Sequence, residues 1–151
     1  MKNNGIFVVA SAGNEGNSAI RFPASCEHSF SVSSTKFDER RSSFSSFNNY
    51  VDIAAPGGQN SEDLDGNGSG DGVMAYSFKN SSYDGESYKG LQVYNGTSMA
   101  APHVSAYFAI LKYLEPDLSH DQLKQYLRSG NLTKDIGNPG KDDFYGYGLM
   151  D

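Results

Sequence analysis

The segment Asn95-Gly-Thr-Ser-Met-Ala-Ala-Pro-His-Val104 sets the residue types of nucleophilic catalysis at the start of an apolar run. A serine hydroxyl attacks a carbonyl efficiently only when a base takes its proton and the charge growing on the carbonyl oxygen is stabilised. Gly96 permits a tight loop, and Ser98 falls in the first turn of the helix that the following residues predict. Unpaired N–H groups and the helix dipole favour negative charge there. Ala100 and Ala101 are small, so the helix can pack closely while an extended backbone approaches Ser98 from the loop side. Ser98 is therefore a candidate nucleophile beside part of an oxyanion site. The same Gly-Thr-Ser also suits an ordinary helix N-cap, and local sequence alone does not separate the two roles.

A second group lies in Asp63-Leu-Asp-Gly-Asn-Gly-Ser-Gly-Asp71. Asp63, Asp65 and Asn67 alternate and Asp71 follows, an arrangement of oxygen ligands that suits a hard cation such as Ca²⁺. The bidentate Glu of a full EF-hand loop is missing, and Asp-Gly and Asn-Gly pairs form turns on their own. A structural calcium and a plain turn are both open at this point.

These groups need elements to hold them. Residues 5–10 are continuously apolar and β-branched, which predicts a strand buried on both faces of a parallel sheet. Residues 30–35 and 50–54 predict two more strands, the last stopping at Ala55-Pro-Gly-Gly58. Residues 59–90 are rich in Gly, Ser, Asn and Asp and exceed the usual connection length, so they should form a functional loop, an inserted hairpin or a mobile segment, with 73–78 a candidate strand inside it. Residues 97–114 leave almost no polar face before Lys112, the pattern of a central helix. Ser119 and Gln122 have capping-box spacing, and Leu123, Tyr126 and Leu127 give the apolar stripe of a surface helix that stops at Gly130. Strands followed by helices favour an α/β architecture.

At 151 residues the chain is one domain or part of one. No apolar run approaches eighteen residues, which excludes a helical membrane span. A net charge of -6 makes nucleic acid an unsuitable partner, since phosphate binding needs clustered Lys and Arg. Cys26 is the only cysteine, so no disulfide can close within the chain, and a buried thiol is its simplest reading. Residues 1–10 lack the length and cleavage pattern of a signal peptide.

Residues Gly96 to Val104 resemble the nucleophile segment of the subtilisin-like (subtilase) serine peptidases, Gly-Thr-Ser-Met-Ala-x-Pro-His-Val. Val8-Val-Ala-Ser-Ala-Gly-Asn-Glu-Gly16 resembles the strand and loop that carry the family's oxyanion amide. Phe22-Pro-Ala24, Arg41-Ser-Ser-Phe-Ser-Ser46, Val51-Asp-Ile-Ala-Ala-Pro-Gly57 and Tyr145-Gly-Tyr-Gly-Leu-Met-Asp151 are similar to further segments, in the family's order. The likeness implies a three-layer α/β/α fold with a mostly parallel sheet, incomplete in this chain. It implies that Ser98 is the nucleophile and Asn14 the oxyanion donor. Ser11, Ala12 and Gly13 would form one wall of the pocket for the residue before the scissile bond. Arg21 would lie near the floor of that pocket, where it would favour an acidic side chain; the plainer reading is a surface Arg paired with Glu15 or Glu27.

The family's order of Asp, His and Ser sets its first two catalytic residues upstream of the amide, and no Asp or His precedes Asn14. His28 lacks the family's context, His103 matches a structural helix residue, and His120 reads as a solvent-exposed residue of the capping turn. Residues 1–151 are thus expected to be the C-terminal half of a peptidase S8 catalytic domain, inactive alone. The partners are protein or peptide substrates and the missing N-terminal half. No cofactor is required for the chemistry, and the resemblance implies a secreted or cell-surface location. The rival expectation is a non-catalytic peptide-binding or interaction module derived from a subtilase.

Overall fold

The computed structural model describes residues 5–80 and 87–151. Residues 1–4 and 81–86, which include the start of the leading stretch and part of the long connection, lie outside the described residues. Among the described residues, seven strands and two helices follow in chain order: β1 (Val8–Ser11), β2 (Ser29–Thr35), β3 (Val51–Pro56), β4 (Val73–Asn80), β5 (Ser87–Tyr94), α1 (Thr97–Leu114), α2 (His120–Arg128), β6 (Thr133–Lys134) and β7 (Leu149–Met150). The main sheet has the order β1-β2-β3-β7-β6. Its pairs are parallel except for the antiparallel β6–β7 edge. β4 and β5 form a separate antiparallel hairpin.

Burial follows from the strand sequences. β2 is buried along its whole length and β3 up to Pro56, as expected of central strands that neighbours cover on both sides. Phe30, Val32, Ile53 and Ala55 meet Ala100, Val104 and Phe108 of α1 and Leu123 and Leu127 of α2 in one core. Both described helices therefore pack into the same core, and Phe30 and Phe108 meet edge to face with ring centroids 4.8 Å apart. α2 starts as its sequence predicts: the Gln122 N–H donates to Ser119 Oγ at 3.3 Å and the Ser119 N–H to Gln122 Oε1 at 2.9 Å.

Four expectations need correction. The first strand is shifted to Val8–Ser11 and only half covered, with Ile6 exposed, because β1 is an edge of the sheet here. α1 is not enclosed: Ala106, Ala109, Ile110 and Tyr113 form an exposed stripe at helical spacing. Cys26 is exposed, since it lies in the turn between β1 and β2 and not within an element.

His120 is buried and not exposed. It stands 4.8 Å from the Phe30 ring and 5.6 Å from His28, ring centroid to ring centroid. Its Nδ1 lies 3.4 Å from Asp121 Oδ1, and Nε2 has no partner among the described residues. Burial holds its pKa below the ordinary 6.5, with the Lys124 and His28 charges acting the same way and Asp121 opposing. Protons then bind the unfolded chain more readily than the folded one. The stabilisation from neutral His120 is complete above 6.5 and declines as pH falls from 6.5 to the lower folded value. Denaturant titrations of the full-length protein at pH 7.5 and 5.5 should show this loss, and His120→Leu should remove that part of it.

In β3, Asp52 is 5% exposed and accepts the Ser31 N–H at 2.9 Å. It is paired with Lys124, whose ammonium also donates to the Ser29 carbonyl at 3.3 Å and sits 4.8 Å from the centre of the Phe30 ring. Removing the carboxylate strands a half-buried ammonium and a buried N–H. Asp52→Ala in the full-length protein is expected to cost about 3 kcal/mol, read as a lower denaturation midpoint at unchanged m.

Candidate active site

Three chain segments meet at the carboxyl end of the parallel strands. β1 delivers Ala12, Gly13 and Asn14; β3 ends at Pro56 and delivers Gly57; the segment after β5 delivers Gly96, Thr97 and Ser98. The Gly96 N–H donates to the Gly57 carbonyl at 2.9 Å. This approach requires glycine, because a Cβ at Gly57 would lie 2.6 Å from the Gly96 carbonyl oxygen. Gly96 itself holds φ 153, which glycine adopts without strain.

The asparagine and the nucleophile segment are joined directly although 83 residues separate Asn14 and Thr97. Asn14 Oδ1 accepts the Thr97 N–H at 2.8 Å and the Thr97 hydroxyl at 2.9 Å. The Gly13 N–H in turn donates to Thr97 Oγ1 at 3.3 Å. With Oδ1 engaged twice, the Nδ2 end of the amide is the end left to donate to a ligand. Asn14 and Ser98 are both exposed.

The first turn of α1 divides its donors unequally. The Thr97 N–H goes to Asn14, and those of Met99 and Ala100 go to the Gly96 carbonyl at 2.9 and 3.3 Å. The Ser98 N–H has no such acceptor among the described residues, and it lies in the first turn, where the helix dipole favours negative charge. The N-cap is Gly96, which has no side chain to cap the helix, and the first N–H is taken by Asn14, so Ser98 is not spent on the capping role its sequence also allowed. Pro102 has no N–H to give to the Ser98 carbonyl, and it is accommodated within α1.

Next to this centre, Ser11 is half-buried and Ala12 is buried, with the Ala12 N–H bonded to the Val32 carbonyl at 2.9 Å. The Gly13 carbonyl accepts the Ser46 N–H at 2.9 Å. Arg21 pairs with Glu15, Nε to Oε2 at 2.9 Å, and Ser46 Oγ donates to the same carboxylate oxygen at 3.1 Å. A Cβ on Gly13 would stand 3.3 Å from Arg21 Cδ, so the Arg21–Glu15 pair lies against Gly13. Both side chains are nearly half exposed, and the pair is only modestly stabilising.

The acidic loop lies elsewhere, on the connection from β3 to β4. Ligand oxygens of Asp63, Asp65 and Asp71 converge within 4.8 Å of one another. The Asn67 N–H donates to Asp63 Oδ1 and Asp65 Oδ1 at 3.0 Å, and Asn67 Nδ2 donates to Asp65 Oδ2 at 2.7 Å. The oxygens fit a hard cation, although these donors already occupy several lone pairs.

Of the remaining histidines, His28 is exposed, and His103 Nδ1 lies 2.8 Å from the Met99 carbonyl oxygen on its own helix. The residue that sequence reasoning missed is Thr97. Its position between Gly96 and Ser98 was visible, but its bonds to Gly13 and Asn14 are tertiary.

The subtilase family model matches residues 1–148. M-protease of Shouchella clausii is 33% identical over 146 residues, covering 97% of this chain and 31% of that protein. Subtilisin BL of Lederbergia lenta is also 33% identical, covering 97% of this chain and 44% of that protein. Among solved structures, a protease from Pseudoalteromonas arctica superposes with a TM-score of 0.78 at 32% identity, covering 99% of this chain and 42% of its own. A lanthipeptide protease does so with a TM-score of 0.76 at 27% identity, over 99% of this chain and 49% of its own. The chain belongs to the subtilase family, a family of serine-type peptidases, and has its α/β fold with a mostly parallel sheet. It spans less than half the length of these relatives.

Proposed function

We propose that residues 1–151 form the C-terminal half of the catalytic domain of a subtilisin-type serine endopeptidase that cleaves protein or peptide substrates. The observation that carries this reading is the pair of hydrogen bonds that Thr97 donates to Asn14 Oδ1, which ties the amide to the residue next to the exposed Ser98. In the full protein a His from the N-terminal half, oriented by its Asp, takes the Ser98 Oγ proton as the oxygen attacks the peptide carbonyl. Asn14 Nδ2 and the Ser98 N–H receive the oxyanion. The proton passes to the amine as the C–N bond breaks, leaving an acyl group on Ser98, and water then releases the acid. These steps move protons and electron pairs among side chains and need no cofactor.

The N-terminal half would join at the β1 edge and cover the exposed stripe of α1. Alone, the chain lacks the base and is expected to be nearly inactive. Ser11, Ala12 and Gly13 form the wall beside the residue before the scissile bond. Arg21 brings positive charge to that pocket, with Glu15 opposing it. Asp63, Asp65, Asn67 and Asp71 would hold a calcium ion that ties down the loop. The protein is secreted, a reading supported by its likeness to the minor extracellular protease of Bacillus subtilis, 31% identical over 147 residues. No described helix is long and apolar enough to cross a membrane.

The non-catalytic alternative has no observation in its favour, and one experiment separates the two. A fluorophosphonate probe on the full-length protein should form a single adduct, mapped by peptide mass spectrometry to Ser98. Absence of any adduct, with the protein folded, would favour a binding module.

A further inference from the structure

The hairpin β4–β5 presents its apolar side to the outside. Met74 stands opposite Val93 and Tyr76 opposite Leu91, which puts four large side chains on one face. Met74 is 64%, Tyr76 74%, Leu91 61% and Val93 41% exposed. The opposite face carries Ala75, Ser77, Gln92 and Tyr94, with the Tyr94 hydroxyl donating to Ser77 Oγ at 2.9 Å. A ribbon built only for stability would bury the apolar face and expose the polar one. A contiguous apolar patch of this kind marks a docking surface. Part of the patch continues into a groove of about 630 Å³ between the hairpin and the main sheet, where Met74 and Val93 face Phe37, Pro56 and Leu149. That volume accommodates several residues of extended polypeptide.

The root of the hairpin fixes where such a polypeptide would come from. β5 runs through Tyr94 straight into the Ser98 segment. Asn60 holds this junction, donating from N–H to Asn95 Oδ1 and from Nδ2 to the Val93 carbonyl, each at 3.3 Å. With the Gly96–Gly57 bond, these contacts set the hairpin on the β3 side of Ser98, whereas Asn14 lies on the β1 side. The open β1 edge and the outer stripe of α1 await the rest of the domain. The groove reaches Leu149 of β7, beyond β3 from that edge, so it is not their seat.

We infer that the groove and apolar face of β4–β5 form an accessory substrate site for apolar residues on the leaving-group side of the scissile bond. The inference rests on the peptidase reading above. Substrate residues before the bond run past Ser11 to Gly13 on the β1 side, so a chain that crosses Ser98 emerges on the β3 side, over the hairpin. Large apolar side chains there would be buried against Tyr76, Leu91 and the groove. Small side chains would bury little apolar area there, and charged ones would meet only Lys36, Glu39, Asp65 and Asp71 of the groove and not the apolar face.

The test uses the full-length protein, wild type and with Tyr76→Ser and Leu91→Ser combined. Two probe peptides share one sequence before the bond; one ends in p-nitroanilide and the other continues for about six residues that include Leu and Phe. The ratio of kcat/KM for the long peptide to that for the anilide should fall about tenfold to a hundredfold in the double variant. An unchanged ratio overturns the accessory site, as does a variant that turns a dimer into a monomer with the ratio intact. If the wild type cleaves neither probe, the peptidase reading fails separately. Fluorescence anisotropy of the labelled long peptide then decides the docking surface: binding lost in the double variant upholds it, and no binding overturns it.

Discussion

Ser98→Ala in the full-length protein is expected to lower kcat by about 10⁶, the magnitude measured in subtilisin and carried over from it. The alanine has no oxygen with which to form the acyl group, and no nearby side chain in the described structure replaces it. Some acceleration over water should survive, because Asn14 and the Ser98 backbone N–H are still present to polarise the carbonyl. Ser98 is exposed and caps nothing, so the denaturation midpoint should hardly move. A fall in activity matched by a fall in stability would point to a structural serine instead.

Asn14→Leu should lower kcat by about 10²–10³ with KM little changed, again by carry-over from subtilisin. The split between the two constants is the informative part. The ground-state carbonyl gains little from the amide, whereas the oxyanion depends on it, so the loss belongs to the transition state. Thr97→Val should act in the same direction but less, about tenfold in kcat, because one of the two bonds that orient the amide is kept. A variant that raised KM and left kcat alone would assign Asn14 to substrate binding.

The parts of the fold that could be read from sequence were those decided by neighbours in the chain. The Ser119 and Gln122 capping box needs only a spacing of three, and it forms as expected. The buried character of β2 and β3 and the start of α1 at Thr97 follow from local patterning and glycine placement. The hairpin was half visible: the strand at 73–78 was expected, but its partner β5 was not, because its pairing depends on register across the connection.

Where sequence reasoning failed, a distant partner made the difference. His120 carries a polar ring in a capping turn and reads as exposed, yet Phe30, from a strand ninety positions earlier, covers it. Cys26 reads as buried by residue type, yet it lies exposed in the turn between β1 and β2. α1 reads as central from composition, yet Ala109, Ile110 and Tyr113 are open on the side where the rest of the domain would pack. At the site, the nucleophile segment and the asparagine loop were each recognisable alone. What joins them is Thr97, whose two bonds to Asn14 are a property of the folded chain.

The most direct measurement is a crystal structure of the full-length protein with a peptide boronic acid bound to Ser98 Oγ. The account predicts that the boronate oxygen standing for the oxyanion lies about 3 Å from both Asn14 Nδ2 and the Ser98 backbone nitrogen, with Asn14 Oδ1 still on Thr97. A boronate oxygen that met neither donor, or an Asn14 amide turned so that its oxygen faced the inhibitor, would contradict it.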